Sequence, residues 1–244
     1  MVDNNPAARQ GWAIPVLVSL AIMLPQLGSL FQATTPGTSS MGAEWLANGL
    51  IQSLSQIVLL AVIIGVSGRS REFGVCSPRP RDFPQAVLVF GGMLLIGRLV
   101  AVVASLLYTA SAGTGAGIPG FPVPAALSPA LSPALSLGRH LSPVASIALS
   151  AGFSLASAYR EELFYRAYLL GSCRQRSTPP PAAIAVSVVL FAWGHAYQGP
   201  AGMAAAALIG LCLAIAWSRG TSVHALAWGH AAYYLGILLP RNTV

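Results

Sequence analysis

Lysine is absent from this chain of 244 residues, acidic residues number six and cysteines three. Each scarcity excludes something. All basic charge rests on arginine, 13 in number for a net charge of +7. Those arginines are scattered over short segments, so no basic stripe of the kind that binds nucleic acid is present. Charged residues make up 8% of the chain, against about 25% in soluble domains, which excludes an ordinary water-soluble fold. Cys76, Cys173 and Cys212 are odd in number and widely spaced, which excludes a disulfide framework or a thiolate metal cluster and leaves them as ordinary small residues.

What is present is apolar. Hydrophobic residues reach 55% and the mean hydropathy is +0.69, the composition of a membrane protein. Crossing ~30 Å of hydrocarbon takes roughly 20 apolar residues. Candidate spans lie at 12–31, 46–66, 84–110, 143–172, 182–197, 201–217 and 221–239. The expected fold is therefore an all-α polytopic membrane bundle of about seven transmembrane helices. The first run, Trp12 to Phe31, contains Pro15 and Pro25 and lacks a convincing cleavage site, so it reads as a span and not as a signal peptide. The fifth and sixth spans are nearly fused through Gln198-Gly199-Pro200 and read as a tight hairpin or a partly re-entrant segment.

The arginines set an orientation. Arg69, Arg71, Arg79 and Arg81 lie in the second connection, Arg174 and Arg176 in the fourth, Arg219 in the sixth and Arg9 at the amino end, so these segments are expected to be cytoplasmic. Arg139 and Arg241 flank the opposite side. The third connection, roughly 111–142, contains the tandem run Leu127 to Ser136, whose repeated prolines remove backbone donors and predict an irregular loop. It divides residues 1–142, three spans plus this Pro/Ser-rich loop, from residues 143–239.

The second part holds the unusual residues. Glu161 and Glu162 sit inside an apolar stretch, where a carboxylate is costly and is by default a functional-site hypothesis. Counting about 1.5 Å per residue from the nearest cytoplasmic connection places Glu161 and His195 about 18 to 21 Å up their spans, His230 about 14 Å and Tyr234 about 20 Å. Four polar side chains thus share one layer. Glu162 and Arg166, four residues apart in the favourable order, predict an ion pair on one helix face. That pair neutralises Glu162 and leaves Glu161, about 100° round the helix, to face a cavity and His195 as a desolvated base for water. Arg98 and Arg160 are read as equally able to snorkel, to pair or to touch a substrate. His224, near the cytoplasmic end of the last span, and His140, in the loop, are assigned no role.

No serine or cysteine stands beside a base as a nucleophilic triad requires, so a covalent enzyme intermediate is not expected. Glu161, His195 and His230 form a permissible zinc set, but they come from three helices without the two-histidine, one-helix spacing of typical zinc proteases. Metal-free, glutamate-activated water is the reading adopted, with no cofactor, and zinc on those three residues is the alternative.

Three segments together resemble the CAAX prenyl protease and bacteriocin-processing (CPBP, Abi) family of intramembrane proteases. They are Glu161-Glu162-Leu163-Phe164-Tyr165-Arg166, Phe191-Ala192-Trp193-Gly194-His195 and His230-Ala231-Ala232-Tyr233-Tyr234, and the resemblance covers roughly residues 143–239. It implies a catalytic core there. Glu161 would activate the attacking water with help from His195, and His230 would stabilise the oxyanion beside an asparagine whose place Tyr234 takes. Glu162 and Arg166 give structural support. The implied activity is endopeptidase cleavage of a membrane-associated or lipidated peptide in a multi-pass protein of a prokaryotic plasma membrane, its amino terminus cytoplasmic, with membrane lipid and peptide substrate as partners and no nucleic acid. A non-catalytic protein of the same fold, acting in bacteriocin immunity or partner binding, is the alternative. A transporter or proton relay is a third reading, since intramembrane Glu and His serve it equally.

Overall fold

The computed structural model describes residues 11–33, 43–113 and 142–239, and the tandem Ser-Pro run of the third connection, with Arg9, Arg139, His140 and Arg241, lies outside them. Among the described residues the fold is all-helical, without strands. Its elements are α1 (Ala13–Ala33), α2 (Ala43–Val66), α3 (Asp82–Gly113), α4 (Pro143–Glu161), a π-helix (Glu162–Leu170), α5 (Gly171–Gln175), α6 (Pro180–Gly194), a 3₁₀ turn (Ala196–Gln198), α7 (Gly199–Ser218) and α8 (Val223–Leu238). Since α4, the π-helix and α5 follow one another without a break, these elements make seven helical rods, matching the seven apolar stretches in position.

Among the described residues, three of the rods are long and apolar enough to cross a membrane by length and composition: Glu44–Val66, Asp82–Leu107 and Ala196–Ser218. Three others, α4, α6 and α8, fall short for identifiable reasons. The α4 rod carries Arg160, Glu161, Glu162 and Arg166 within its length, while α6 and α8 have only 15 and 16 residues. The fifth and sixth expected spans form a hairpin, α6 packed on α7 through the short turn Ala196–Gln198. Gly199, at φ 76°, makes the reversal possible, because that left-handed conformation is costly for residues with a Cβ.

The exterior of the bundle is apolar, unlike that of a soluble protein. Val66, Leu88 and Leu95 are 85%, 76% and 71% exposed, and Ile51, Val58 and Leu106 also face outward. An apolar exterior this extensive marks a surface made for lipid. The buried polar set includes Ser53, Ser146, Ser150, Ser154, Ser157, Glu161, Glu162, Arg166 and His230. The serines of α4 allow close approach of α2, where Ser53 Oγ and Ser157 Oγ are 3.2 Å apart, the small-residue mode of helix association in lipid.

Ends of helices are satisfied locally. Ser142 caps α4 by accepting from the Ala145 amide at 3.2 Å, and Ser222 caps α8 by accepting from the Ala225 amide at 3.0 Å. The arginine-bearing connections meet at one end of the bundle. Arg174 donates to the Glu72 carbonyl, His224 bonds the Cys76 carbonyl at 2.7 Å, and the Arg176 guanidinium lies 5.1 Å over the Trp12 ring.

A tight helix approach positions the site. A Cβ on Gly229 of α8 would lie 2.6 Å from the Ala86 carbonyl oxygen and 2.7 Å from Val89 Cβ of α3, so α8 docks on α3 only with glycine there. His230 follows it immediately. Gly229→Val is expected to cost about 1–3 kcal/mol of stability through overpacking, read as a lowered Tm in detergent. Gly91→Ala, whose added Cβ meets nothing within 4 Å, should not lower the Tm, since alanine favours a helix interior over glycine.

Candidate active site

The rod formed by α4 and the π-helix passes from α to π winding between Glu161 and Glu162. An uninterrupted α-helix was the expectation from residue 143 to 172. The π segment buries all nine of its residues, Glu162 to Leu170, and such segments recur at functional sites. It places the two carboxylates against different partners.

Glu162, fully buried, lies 3.2 Å from Arg166 Nε, the ion pair that the four-residue spacing predicts. Its other oxygen, Oε1, is 2.8 Å from His230 Nδ1. An ionised carboxylate only accepts, so His230 Nδ1 carries a hydrogen and donates. Arg166 also donates from Nη2 to the Gly210 carbonyl at 3.4 Å, and its guanidinium sits 4.6 Å over the Phe191 ring. Phe191 therefore has a physical role in the second motif: its face covers a buried cation, and its ring lies 4.7 Å from that of His195 and 6.1 Å from that of His230.

Glu161 is not left unpaired, and here the sequence-based expectation is corrected. Arg160 Nη2 donates to Oε1 at 2.6 Å, and the Tyr234 hydroxyl donates to Oε2 at 2.8 Å. His230 Nε2 stands 3.6 Å from the same Oε2. The reason is azimuthal. Glu161 points between α8 and the α6–α7 turn, and Arg160, one residue earlier, has a side chain long enough to fold back onto it. Of the readings open to Arg160, pairing is the one the structure shows, and spacing arguments did not name Glu161 as its partner. The available signal was its position, since it is one of only 13 basic residues and stands beside the carboxylate pair in an apolar segment.

His195 lies where α6 ends. Its amide turns to the Ala192 carbonyl at 3.0 Å, which frees the Phe191 carbonyl, and Nδ1 donates to that oxygen at 2.8 Å. The helix break thus satisfies its own orphan acceptor with the imidazole. In a neutral ring, Nε2 is then an acceptor. The ring is within electrostatic reach of Glu161, His230 and Arg160. All four sequence-predicted site residues, Glu161, His195, His230 and Tyr234, are in one cluster with Glu162 and Arg166 beneath it. His224 is elsewhere: its Nδ1 pairs with Tyr159 Oη at 2.9 Å and its Nε2 with the Cys76 carbonyl, tying α4 and the 67–81 connection to α8.

The zinc alternative fits these residues poorly. Both Glu161 oxygens already accept, one of them from a guanidinium 2.6 Å away, and a divalent cation on that carboxylate would face this charge directly. Among the described residues, no group of three His, Cys, Asp or Glu is gathered as a metal site.

The fold and the cluster define a helical membrane protein with a buried carboxylate–histidine centre. Over residues 143–236 the chain matches the model of the type II CAAX prenyl endopeptidase family, Rce1-like, a family of CAAX endopeptidases that agrees with the resemblance carried by the three motifs. The match takes in every residue of the cluster and begins with α4. No curated protein and no solved structure matches the chain.

The Glu162–Arg166 pair is buried beyond the reach of solvent. Arg166→Met strands a carboxylate and is expected to cost about 3–5 kcal/mol, read by thermal unfolding in detergent. Glu162→Gln combined with Arg166→Met should recover part of that loss.

Proposed function

We propose that the protein is an intramembrane endopeptidase that hydrolyses a peptide bond of a membrane-associated or prenylated peptide, with water as the nucleophile and no metal. The observation that carries this reading is the environment of Glu161. It is a carboxylate 5% exposed in an apolar bundle, with one imidazole nitrogen 3.6 Å away and a second imidazole whose Nε2 is left as an acceptor by the Nδ1–Phe191 bond. A purely structural ion pair has no use for two further imidazoles.

In the proposed reaction, a water held between Glu161 and His195 gives a proton to the carboxylate as its oxygen attacks the carbonyl carbon. His230, whose Nδ1 is fixed by Glu162, presents Nε2 to the same space. Glu162 and Arg166 act through His230, holding its ring and tautomer. The substrate reaches the centre beside the α6–α7 turn, where His195 and Tyr234 are partly exposed and Tyr197 is exposed. Residues 143–239 act as the catalytic core and residues 1–142 as three supporting spans. All seven rods cross or enter the membrane, the arginine-rich end facing the cytoplasm with the amino terminus, in a prokaryotic plasma membrane.

The test uses full-length protein in liposomes and a synthetic peptide ending in a farnesylated cysteine followed by three residues, the prenylation motif. Glu161→Gln should lower cleavage by at least about 10²-fold, the scale of general-base catalysis, while the melting temperature stays near that of the wild type. A chelator should leave the wild-type rate unchanged. Equal rates for wild type and Glu161→Gln would remove Glu161 as the base.

A further inference from the structure

One consequence of the cluster concerns the negative charge that peptide hydrolysis creates. A tetrahedral intermediate needs hydrogen-bond donors aimed at its oxyanion. In the family that the motifs resemble, an asparagine shares this task, and here that place is taken by Tyr234. A phenol has one hydrogen to give, and Tyr234 gives it to Glu161 Oε2 at 2.8 Å. Tyr234 therefore positions the base and has no donor left for the oxyanion.

Arg160 has donors to spare. A guanidinium carries five N–H groups. Its Nη2 reaches Glu161 Oε1 at 2.6 Å, while Nε is buried and has no hydrogen-bond partner among the described residues. The side chain is 14% exposed, so its charge acts in a poorly solvated space, where an electrostatic contact is stronger than in water. A buried N–H without an acceptor is unfavourable unless a ligand supplies one. The substrate carbonyl oxygen, once it becomes an alkoxide, is such an acceptor.

We propose that Arg160 is a catalytic residue that stabilises the tetrahedral oxyanion, replacing the donor that Tyr234 has committed to Glu161. The proposal rests on the peptidase reading above. The charge balance supports it at each step. Before attack, the negative charge is on Glu161 and Arg160 faces it. Water then forms a bond to the carbonyl carbon, its proton passes to Glu161, and the carbonyl π pair moves to oxygen. Glu161 has become neutral and the oxyanion has taken up the charge, so the cation keeps one anionic partner throughout. In the second half, the proton on Glu161 passes to the amide nitrogen as the C–N bond breaks, and the oxyanion collapses to the carboxylic acid. Arginine suits this transfer better than a point-charge ammonium, because its planar fork holds two oxygen acceptors at once.

The experiment compares kcat and KM for the farnesylated peptide in liposomes across the wild type, Arg160→Gln, Arg160→Lys and Arg160→Gln combined with Tyr234→Asn. Arg160→Gln should lower kcat by about 10²–10³-fold, the loss typical of one oxyanion donor, with KM changed less than about twofold since the interaction is made only in the transition state. Adding Tyr234→Asn should restore at least about tenfold of that kcat, because a carboxamide N–H then points where the phenol did not. A residue that merely orients Glu161 predicts the reverse, since the second change removes the other group holding that carboxylate. A double variant no faster than Arg160→Gln, or an Arg160→Gln with wild-type kcat, would overturn the proposal. Should Arg160→Gln fail to fold, Arg160→Lys decides: it keeps the charge and loses the fork, and an undiminished kcat overturns the proposal. Activity retained by Glu161→Gln would instead strike the underlying assignment of the base, so the two failures are distinguishable.

Discussion

Two adjacent carboxylates share one imidazole, and each is held by an arginine of its own. Glu162 Oε1 takes His230 Nδ1 at 2.8 Å, Glu161 Oε2 stands 3.6 Å from Nε2 of the same ring, and Arg166 and Arg160 complete the two pairs at 3.2 and 2.6 Å. Like charges side by side in an apolar medium repel strongly, and desolvation adds to the cost. The arrangement is tolerable because two guanidiniums balance two carboxylates while the imidazole bridges them, and neither member of the fully buried Glu162–Arg166 pair can be removed alone without leaving an unmatched charge. Much of the architecture serves this balance. The π segment widens the rod where both carboxylates and Arg166 must fit, Gly210 offers a carbonyl to Arg166, and Gly229 lets α8 approach α3 closely enough to seat His230.

The helix break at His195 shows how one local irregularity supplies several parts of a site. Because the amide of His195 bonds Ala192, the Phe191 carbonyl is released to fix the imidazole, and the Phe191 ring is left over Arg166. A continuous helix would have used that carbonyl for its own ladder and left the imidazole without a backbone partner. The second motif is thus a helix terminus as much as a sequence pattern. Its phenylalanine shields the structural cation with the ring and orients the histidine with the carbonyl, and Gly199 reverses the chain into α7.

Height was legible in the sequence and azimuth was not. Residue counts from the arginine-bearing connections placed Glu161, His195, His230 and Tyr234 in one layer, because rise per residue is nearly independent of environment. The Glu162–Arg166 pair was legible for the same reason, being local to one rod. The partners of Glu161 were not. They depend on the winding at Glu161–Glu162, on the docking of α8, and on an arginine side chain folding back along its own helix, none of which a fixed 3.6-residue period contains. The apolar exterior was readable from composition, and the limited length of α6 from the short fifth stretch, 182–197, which the 15-residue helix nearly matches.

Tyr234 shows why the occupant of a site has to be judged by where its one proton goes. At the level of residue type, a phenol replacing a carboxamide looks like a partial loss, one donor in place of two. In the structure the hydroxyl is spent on Glu161, and the ring lies 4.4 Å from that of His230, so the replacement secures the base and walls the imidazole. The donor lost from that position is matched by a cation on the other side of the same carboxylate. Both substituents follow from one requirement: a carboxylate that must give up its charge to a nearby oxygen during reaction needs neighbours that hold it in place beforehand and accept the displaced charge afterwards. A neutral donor such as Tyr234 does the first. A guanidinium with a buried, unpartnered N–H does both.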